Sequence, residues 1–173
     1  MSLSAEYKKN YKKSIYYPVW QHIVKYVKEI DNPKIIEIGC GAGQLAKFLS
    51  DEGFTEYTGY DNNYEMLHQA SANSAQYFLA ADITKPDIYK GDYDIIIATE
   101  VLEHLKDDLA LFKHIKKGTV FLFSLPTFDC NGHYRWFRSS IDIISRYFDC
   151  LKIIDLKRLK KPNCWFIGKG IVR

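Results

Sequence analysis

Lys34-Ile35-Ile36-Glu37-Ile38-Gly39-Cys40-Gly41-Ala42-Gly43-Gln44 decides the fold. A short apolar run meets three glycines spaced by single residues, and an amphipathic segment follows at once. Glycine permits the left-handed backbone of a tight turn and lets a ligand approach bare main chain. A helix starting at Gln44 would aim free N–H groups into the same space, which suits an anionic or polar ligand. Strand, glycine turn and helix in this order predict the first unit of an open α/β sheet, in which ligands bind beyond the carboxyl ends of the strands.

The alternation continues outward from this unit. Strands are expected at 34–38, 57–60, 76–80, 93–98 and 119–125, with helices at 44–51, 64–72, 102–116 and 139–147. Tyr93-Asp94-Ile95-Ile96-Ile97-Ala98 is nearly all apolar, as a strand covered on both faces must be. Upstream, helical spacing of Val19, Ile23, Tyr26, Val27 and Ile30 predicts a helix from Pro18 to Ile30, and a further helical segment is read at Ser4 to Lys13. Two closing strands, 150–156 and 164–171, are joined by a link too short for a crossover helix and are expected to pair antiparallel. The prediction is a doubly wound, seven-stranded, mostly parallel Rossmann-like sheet with helices on both faces and an antiparallel last strand. One domain spans 1–173, with 1–31 as an N-terminal helical lid or cap; Tyr11, Tyr16, Tyr17 and Trp20 there either cover a substrate or pack against the sheet, and core packing is the expectation for Trp20.

Acidic residues recur at successive strand ends. Glu37 precedes the glycines, where a carboxylate attracts a ligand ammonium. Asp61 ends the second strand and can accept two ribose hydroxyl hydrogen bonds. Asp82 ends the third and can take an adenine exocyclic amine. Taken singly, each acid is more often a cap or a solvated loop residue; their order along the rim carries the argument.

The succession ExGxGxG at 37–43, Tyr60-Asp61, Ala81-Asp82-Ile83 and Tyr93 to Leu105 resembles the class I S-adenosylmethionine-dependent methyltransferases, in particular small members of types 11 and 12. The resemblance covers about residues 34–126 and implies a methyl-transferring enzyme that converts S-adenosyl-L-methionine to S-adenosyl-L-homocysteine. It also implies that Gly39, Cys40, Gly41 and Gly43 form the cofactor loop, that Asp61 binds ribose and that Asn62 flanks adenine. Asp82 and Ile83 would border the base, and Glu100 would lie near the methionyl end. A nicotinamide dehydrogenase, the nearest competitor, wants G-x-G-x-x-G; the glycines here stand at 39, 41 and 43.

Glu100, Glu103 and His104 follow the fourth expected strand, and His133 lies in the 127–137 loop after the fifth. Three readings stand open. The acids favour a helix N-terminus electrostatically; His104 or His133 is a general base; or Glu100, Glu103, His104 and His133 hold a divalent cation such as Mg²⁺ or Mn²⁺. That last set is similar to the ligands of metal-dependent methyltransferases acting on the 2′-hydroxyl at RNA 3′ ends. The metal is therefore left open. A small-molecule hydroxyl is the expected acceptor, the RNA 3′-terminal 2′-hydroxyl the alternative, and a non-catalytic nucleotide-binding module the reading outside enzymology.

Composition bounds these readings. The 173 residues carry a formal charge of only +3, so charge alone does not point to nucleic acid. Lys8, Lys9, Lys12, Lys13, Lys157, Arg158, Lys160 and Lys161 are read as solvated surface, with attraction of an anionic substrate as the alternative. No apolar run reaches bilayer length and no secretory signal is evident. Four cysteines, 40, 130, 150 and 164, lack metal-finger or CxxC spacing, so reduced thiols and a cytoplasmic location are expected. Oligomeric state is not legible.

Overall fold

The computed structural model describes residues 3–160 and 164–173. Its first strand, β1 (Ile35–Ile38), is buried at all four positions. Parallel neighbours flank it, β2 (Tyr57–Asp61) on one side and β4 (Ile95–Thr99) on the other, in register at Ile35↔Tyr57 and Ile35↔Ile95. With β3 (Tyr77–Ala80), β5 (Val120–Pro126), β6 (Leu151–Leu159) and β7 (Trp165–Val172), the sheet runs β3-β2-β1-β4-β5-β7-β6. Strand order reverses between β1 and β4, so their carboxyl ends frame the crevice expected to bind ligand. β7 is antiparallel to both β5 and β6, the predicted closing hairpin.

Helices cover both faces. On one, α2 (Tyr17–Val27) and α3 (Gln44–Asp51) bury Val19, Ile23, Val27, Leu45 and Leu49 against Ile95, Ile97 and Leu122. On the other, α5 (Asp108–Leu111) and α6 (Ser140–Tyr147) pack Leu111, Ile143 and Tyr147 with Ile96, Phe121 and Phe123. α1 (Leu3–Tyr7) precedes these, and α4 (Tyr64–Asn73) follows β2. Pro18 falls in the first turn of α2, where its missing N–H costs nothing. Among the described residues, no helix is long and apolar enough to cross a membrane.

Two expected helices differ. The segment read as one helix over Ser4–Lys13 divides into α1 and a 3₁₀ turn at Tyr11–Lys13. Asn10 opens the 3₁₀ turn as its N-cap, accepting the Lys12 N–H on its side chain at 3.0 Å, and the Glu6 carboxylate accepts from the Ile15 N–H at 2.8 Å. The single helix expected over 102–116 is also absent; its place is taken by a 3₁₀ turn at Leu102–His104 and the four-residue α5. Its helical periodicity loses to distant partners. The Arg135 guanidinium donates to the carbonyls of Leu102, Leu105 (2.5 Å) and Lys106 (2.9 Å), and the Glu103 carbonyl accepts the Tyr134 N–H at 2.7 Å. Glu100 and His104 therefore do not share a helix face, and Glu100 and Glu103 do not open a long helix.

Candidate active site

Gly39, Gly41 and Gly43 all have positive φ, at +70°, +51° and +71°. The turn is stitched to β2, since the Gly39 and Cys40 N–H groups both donate to the Tyr60 carbonyl, at 2.7 and 3.1 Å. Glycine is required at 39 on steric grounds as well: a Cβ there would lie 2.5 Å from Val101 Cγ2. Gly43 faces Ala70 of α4 instead of the crevice, and Ala42 and Gln44 contribute to the crevice wall.

The turn forms one side of a cleft of about 710 Å³, a volume typical of small-ligand sites. Glu37, Gly39, Cys40, Gly41, Asp61, Asn62, Asp82, Ile83, Glu100 and His104 all border it. The Asp61 carboxylate accepts the Gly41 N–H on Oδ2 and the Asn63 N–H on Oδ1, both at 2.9 Å. Each oxygen keeps a further lone pair for a ligand hydroxyl. Asp82 stands exposed at the far rim, and two hydrogen bonds from Thr84 hold its carboxyl below the usual range. Asn62 is exposed on the rim; Asn63 caps α4 by accepting the N–H groups of Glu65 and Met66.

Deeper in, the carboxylates leave water. Burial pushes Glu37 up to about 8, opposed by the 2.5 Å hydrogen bond from the Tyr57 hydroxyl and aided by the charge of Asp61. Glu100 has φ +55°, rare for a non-glycine residue, and Ser124 over-determines it. The Ser124 hydroxyl accepts the Glu100 N–H at 3.0 Å and donates to its Oε1 at 2.7 Å, while Trp165 Nε1–H donates to Oε2 at 2.7 Å. Burial still pushes Glu100 up to about 7.

Beside it, Glu103 is fully buried, and neither carboxylate oxygen has a hydrogen-bond partner among the described residues. Burial first, then the Glu100 charge, drive its pKa well above the ordinary value. The 127–137 loop brings His133 against His104, ring centroids 4.8 Å apart. His104 Nδ1 is 3.0 Å from the Gly132 carbonyl, which can only accept, so Nδ1 is the donor of this pair. His133 Nδ1 is buried without a partner among the described residues, and burial together with His104 lowers its pKa. One ligand atom each from Glu103, His104 and His133 lie within 4.8 Å of one another. Glu100, the fourth residue of the expected set, is tied to Ser124 and Trp165 and stands outside this cluster.

The N-terminal segment closes the cleft's outer side. Tyr16 and Trp20 border it, and Trp20, 6% exposed, also packs in the core. Tyr11 instead stacks on Phe48 at 4.9 Å and donates to Asp51 at 3.0 Å, and Tyr17 packs against Phe48, so both belong to the core. Tyr7, Gln44, Met66 and Leu105 also border the cleft; sequence reasoning missed them, because no period or motif marks them. The basic residues do not converge on it: Lys9 pairs with Glu6, Lys157 with Asp155, and Arg158 lies over Phe166. Lys161 lies outside the described residues.

Residues 13–161 match the model of a family described as methyltransferase domain. A ubiquinone biosynthesis O-methyltransferase from Escherichia coli O127:H6 (strain E2348/69 / EPEC) is 30% identical over 109 residues, 57% of this chain and 44% of that protein. The match thus spans less than half the length of the curated relatives. Among solved structures, the N-methyltransferase NodS from Bradyrhizobium japonicum WM9, in complex with S-adenosyl-L-homocysteine, superposes with TM-score 0.70 at 17% identity, covering 99% of this chain and 96% of that one. Magnesium protoporphyrin IX methyltransferase from Synechocystis PCC 6803 does so with TM-score 0.70 at 17% identity, covering 89% and 82%. At these identities the likeness is one of fold.

Proposed function

Because the chain belongs to the methyltransferase-domain family, the class I S-adenosylmethionine-dependent methyltransferases, we propose that it moves the sulfonium methyl of S-adenosyl-L-methionine to a hydroxyl of a small-molecule acceptor. The observation that carries this reading is the cleft itself, in which a positive-φ glycine turn meets Asp61 through Gly41 N–H and faces a row of carboxylates. In it, Asp61 takes the ribose hydroxyls, Asn62, Asp82 and Ile83 border the adenine, and the backbone of Gly39, Cys40 and Gly41 lies along the ligand. Gly43 shapes the turn from behind. Glu37 and Glu100 border the methionyl end, where the positive ammonium and sulfonium of a bound cofactor would favour their ionised forms.

The methyl is already activated by positive sulfur, so the protein's task is to align nucleophile, carbon and sulfur. Positioning of this kind supplies about 7–11 kcal/mol of a barrier. A hydroxyl acceptor must also lose its proton. His104, which borders the cleft, is the base within reach of an acceptor there; His133 packs against it from outside the cleft lining, and burial lowers its pKa. The O-methyltransferase relative supports oxygen as the acceptor atom. The dispersal of the basic residues favours a small acceptor over RNA. Four free cysteines fit a cytoplasmic setting.

A second reading adds a divalent cation on Glu103, His104 and His133. A buried carboxylate with two unsatisfied oxygens beside an unsatisfied imidazole is a costly arrangement that a cation would relieve. One carboxylate and two imidazoles suit a first-row transition ion such as Mn²⁺. Bound there, the ion would lower the pKa of a hydroxyl acceptor.

A screen of phenols and alcohols with methyl-labelled cofactor, run with and without chelator, tests the activity. Label transfer to a small hydroxyl acceptor is expected; transfer only to amines or to RNA would overturn the acceptor assignment. For the cation, Mn²⁺ titration of the wild type and of His133→Ala is decisive, since full binding by the variant rejects the three-ligand site. Asp61→Ala is expected to weaken S-adenosyl-L-homocysteine binding by about 1.5–3 kcal/mol, the scale of hydrogen bonds to a charged group.

A further inference from the structure

Residues 5–16 form a strap beside the cleft, which Tyr7 and Tyr16 border, and Gln44 fastens it. Gln44, the first residue of α3 and the neighbour of the glycine turn, is buried, and its Nε2 donates to the carbonyls of Glu6 (3.2 Å) and Lys9 (2.8 Å). Glu6 is itself buried and ties the strap's two ends by accepting the Ile15 N–H and the Lys9 ammonium. The strap carries Tyr7 over the turn: a Cβ on Gly41 would lie 3.6 Å from Tyr7 Cε1.

Among the described residues, nothing uses the Tyr7 hydroxyl. No hydrogen bond ties it to another described residue, and it borders the cleft between the fields of Asp61 and Glu100. A phenol that shares a cleft with Asp61 and Glu100 and bonds to neither is an unspent donor. Any ligand lying along Gly39–Gly41 and reaching Asp61 would pass directly beneath it.

From this geometry we infer that Tyr7 is a ligand contact for the adenosyl-amino acid, delivered by the strap, and that Gln44 is the positioning residue whose two hydrogen bonds hold the strap shut over the bound cofactor. The inference rests on the S-adenosylmethionine reading of the cleft. It implies that cofactor enters and leaves only when the Gln44 bonds to Glu6 and Lys9 break. Gln44 thereby couples the turn that touches the cofactor to the segment that covers it.

The test uses the full chain and S-adenosyl-L-homocysteine as probe, with affinity by calorimetry, dissociation by stopped flow, and amide exchange over residues 5–16. Tyr7→Phe keeps the ring and removes the donor; Gln44→Met keeps the volume and removes both bonds. Tyr7→Phe should raise Kd by roughly 3- to 10-fold, the loss of one neutral hydrogen bond. Gln44→Met should speed dissociation by about tenfold or more. The probe should slow exchange in 5–16 in the wild type and fail to do so in Gln44→Met, a response that general destabilisation does not produce. Wild-type binding left unmoved by both variants would overturn the strap inference alone. Absence of binding to the wild type would overturn the cleft reading and the strap with it.

Discussion

Replacing Gly39 by alanine perturbs the turn in two separable ways. The residue has φ +70°, so a Cβ costs about 1–2 kcal/mol for left-handed backbone. The same Cβ would sit 2.5 Å from Val101 Cγ2, and Val101 is 7% exposed on a β-branched side chain with little rotamer freedom. Overpacking of this kind costs about 1–3 kcal/mol. The expected sum is about 2–5 kcal/mol, a large part of an ordinary domain's stability. Urea unfolding of Gly39→Ala, Val101→Ala and the double variant separates the terms. Truncating Val101 leaves its Cβ as the nearest atom at 3.7 Å, an ordinary contact. The cycle should therefore show a coupling of about 1–3 kcal/mol. Gly91→Ala, with nothing within 4 Å of its Cβ, serves as the control and should move stability by no more than about 0.5 kcal/mol. A Gly39→Ala cost matching the Gly91 control, or zero coupling to Val101, would refute the steric account of the turn.

Glu37→Gln should change how stability depends on pH. The folded pKa of about 8 lies above the ordinary glutamate value of 4.5, so the favourable contribution is complete below 4.5 and is lost as pH rises through 8. The variant, which still accepts from Tyr57, should therefore gain on the wild type between pH 5 and pH 8 by on the order of 3–5 kcal/mol in urea midpoints; parallel curves would show that Glu37 is not buried as a carboxyl. Arg135→Ala should cost about 2–4 kcal/mol by orphaning the carbonyls of Leu102, Leu105 and Lys106. It should also raise amide exchange across 127–137, and protection equal to wild type would mean the loop is held by other contacts.

The strand–turn–helix unit at 35–51 was legible because every local signal agrees there: an apolar run, left-handed glycines and an amphipathic helix whose bounds, Gln44–Asp51, are those expected. Asp61 was legible for the same reason, standing at a strand end beside the turn. The 102–116 segment was not. Its apolar spacing is helical, yet Arg135, distant in sequence, competes for the carbonyls, and periodicity carries no information about such a partner. The positive φ of Glu100 is likewise set by Ser124 and Trp165, on strands that meet it only in the folded sheet. Asn62 and Asn63 illustrate a finer limit, since both can cap a helix or face the rim, and only the backbone path assigns Asn63 the cap. Tyr7 sits in a short polar stretch, and its place over Gly41 follows from Gln44 reaching the strap, a contact no spacing rule anticipates.

Calorimetric titration of the protein with S-adenosyl-L-homocysteine, and separately with NAD, tests the central claim most directly. The account predicts one saturable site for the homocysteine nucleoside, weakened in Asp61→Ala, and no comparable heat with NAD. Tighter binding of NAD, or a silent titration with S-adenosyl-L-homocysteine, would contradict it.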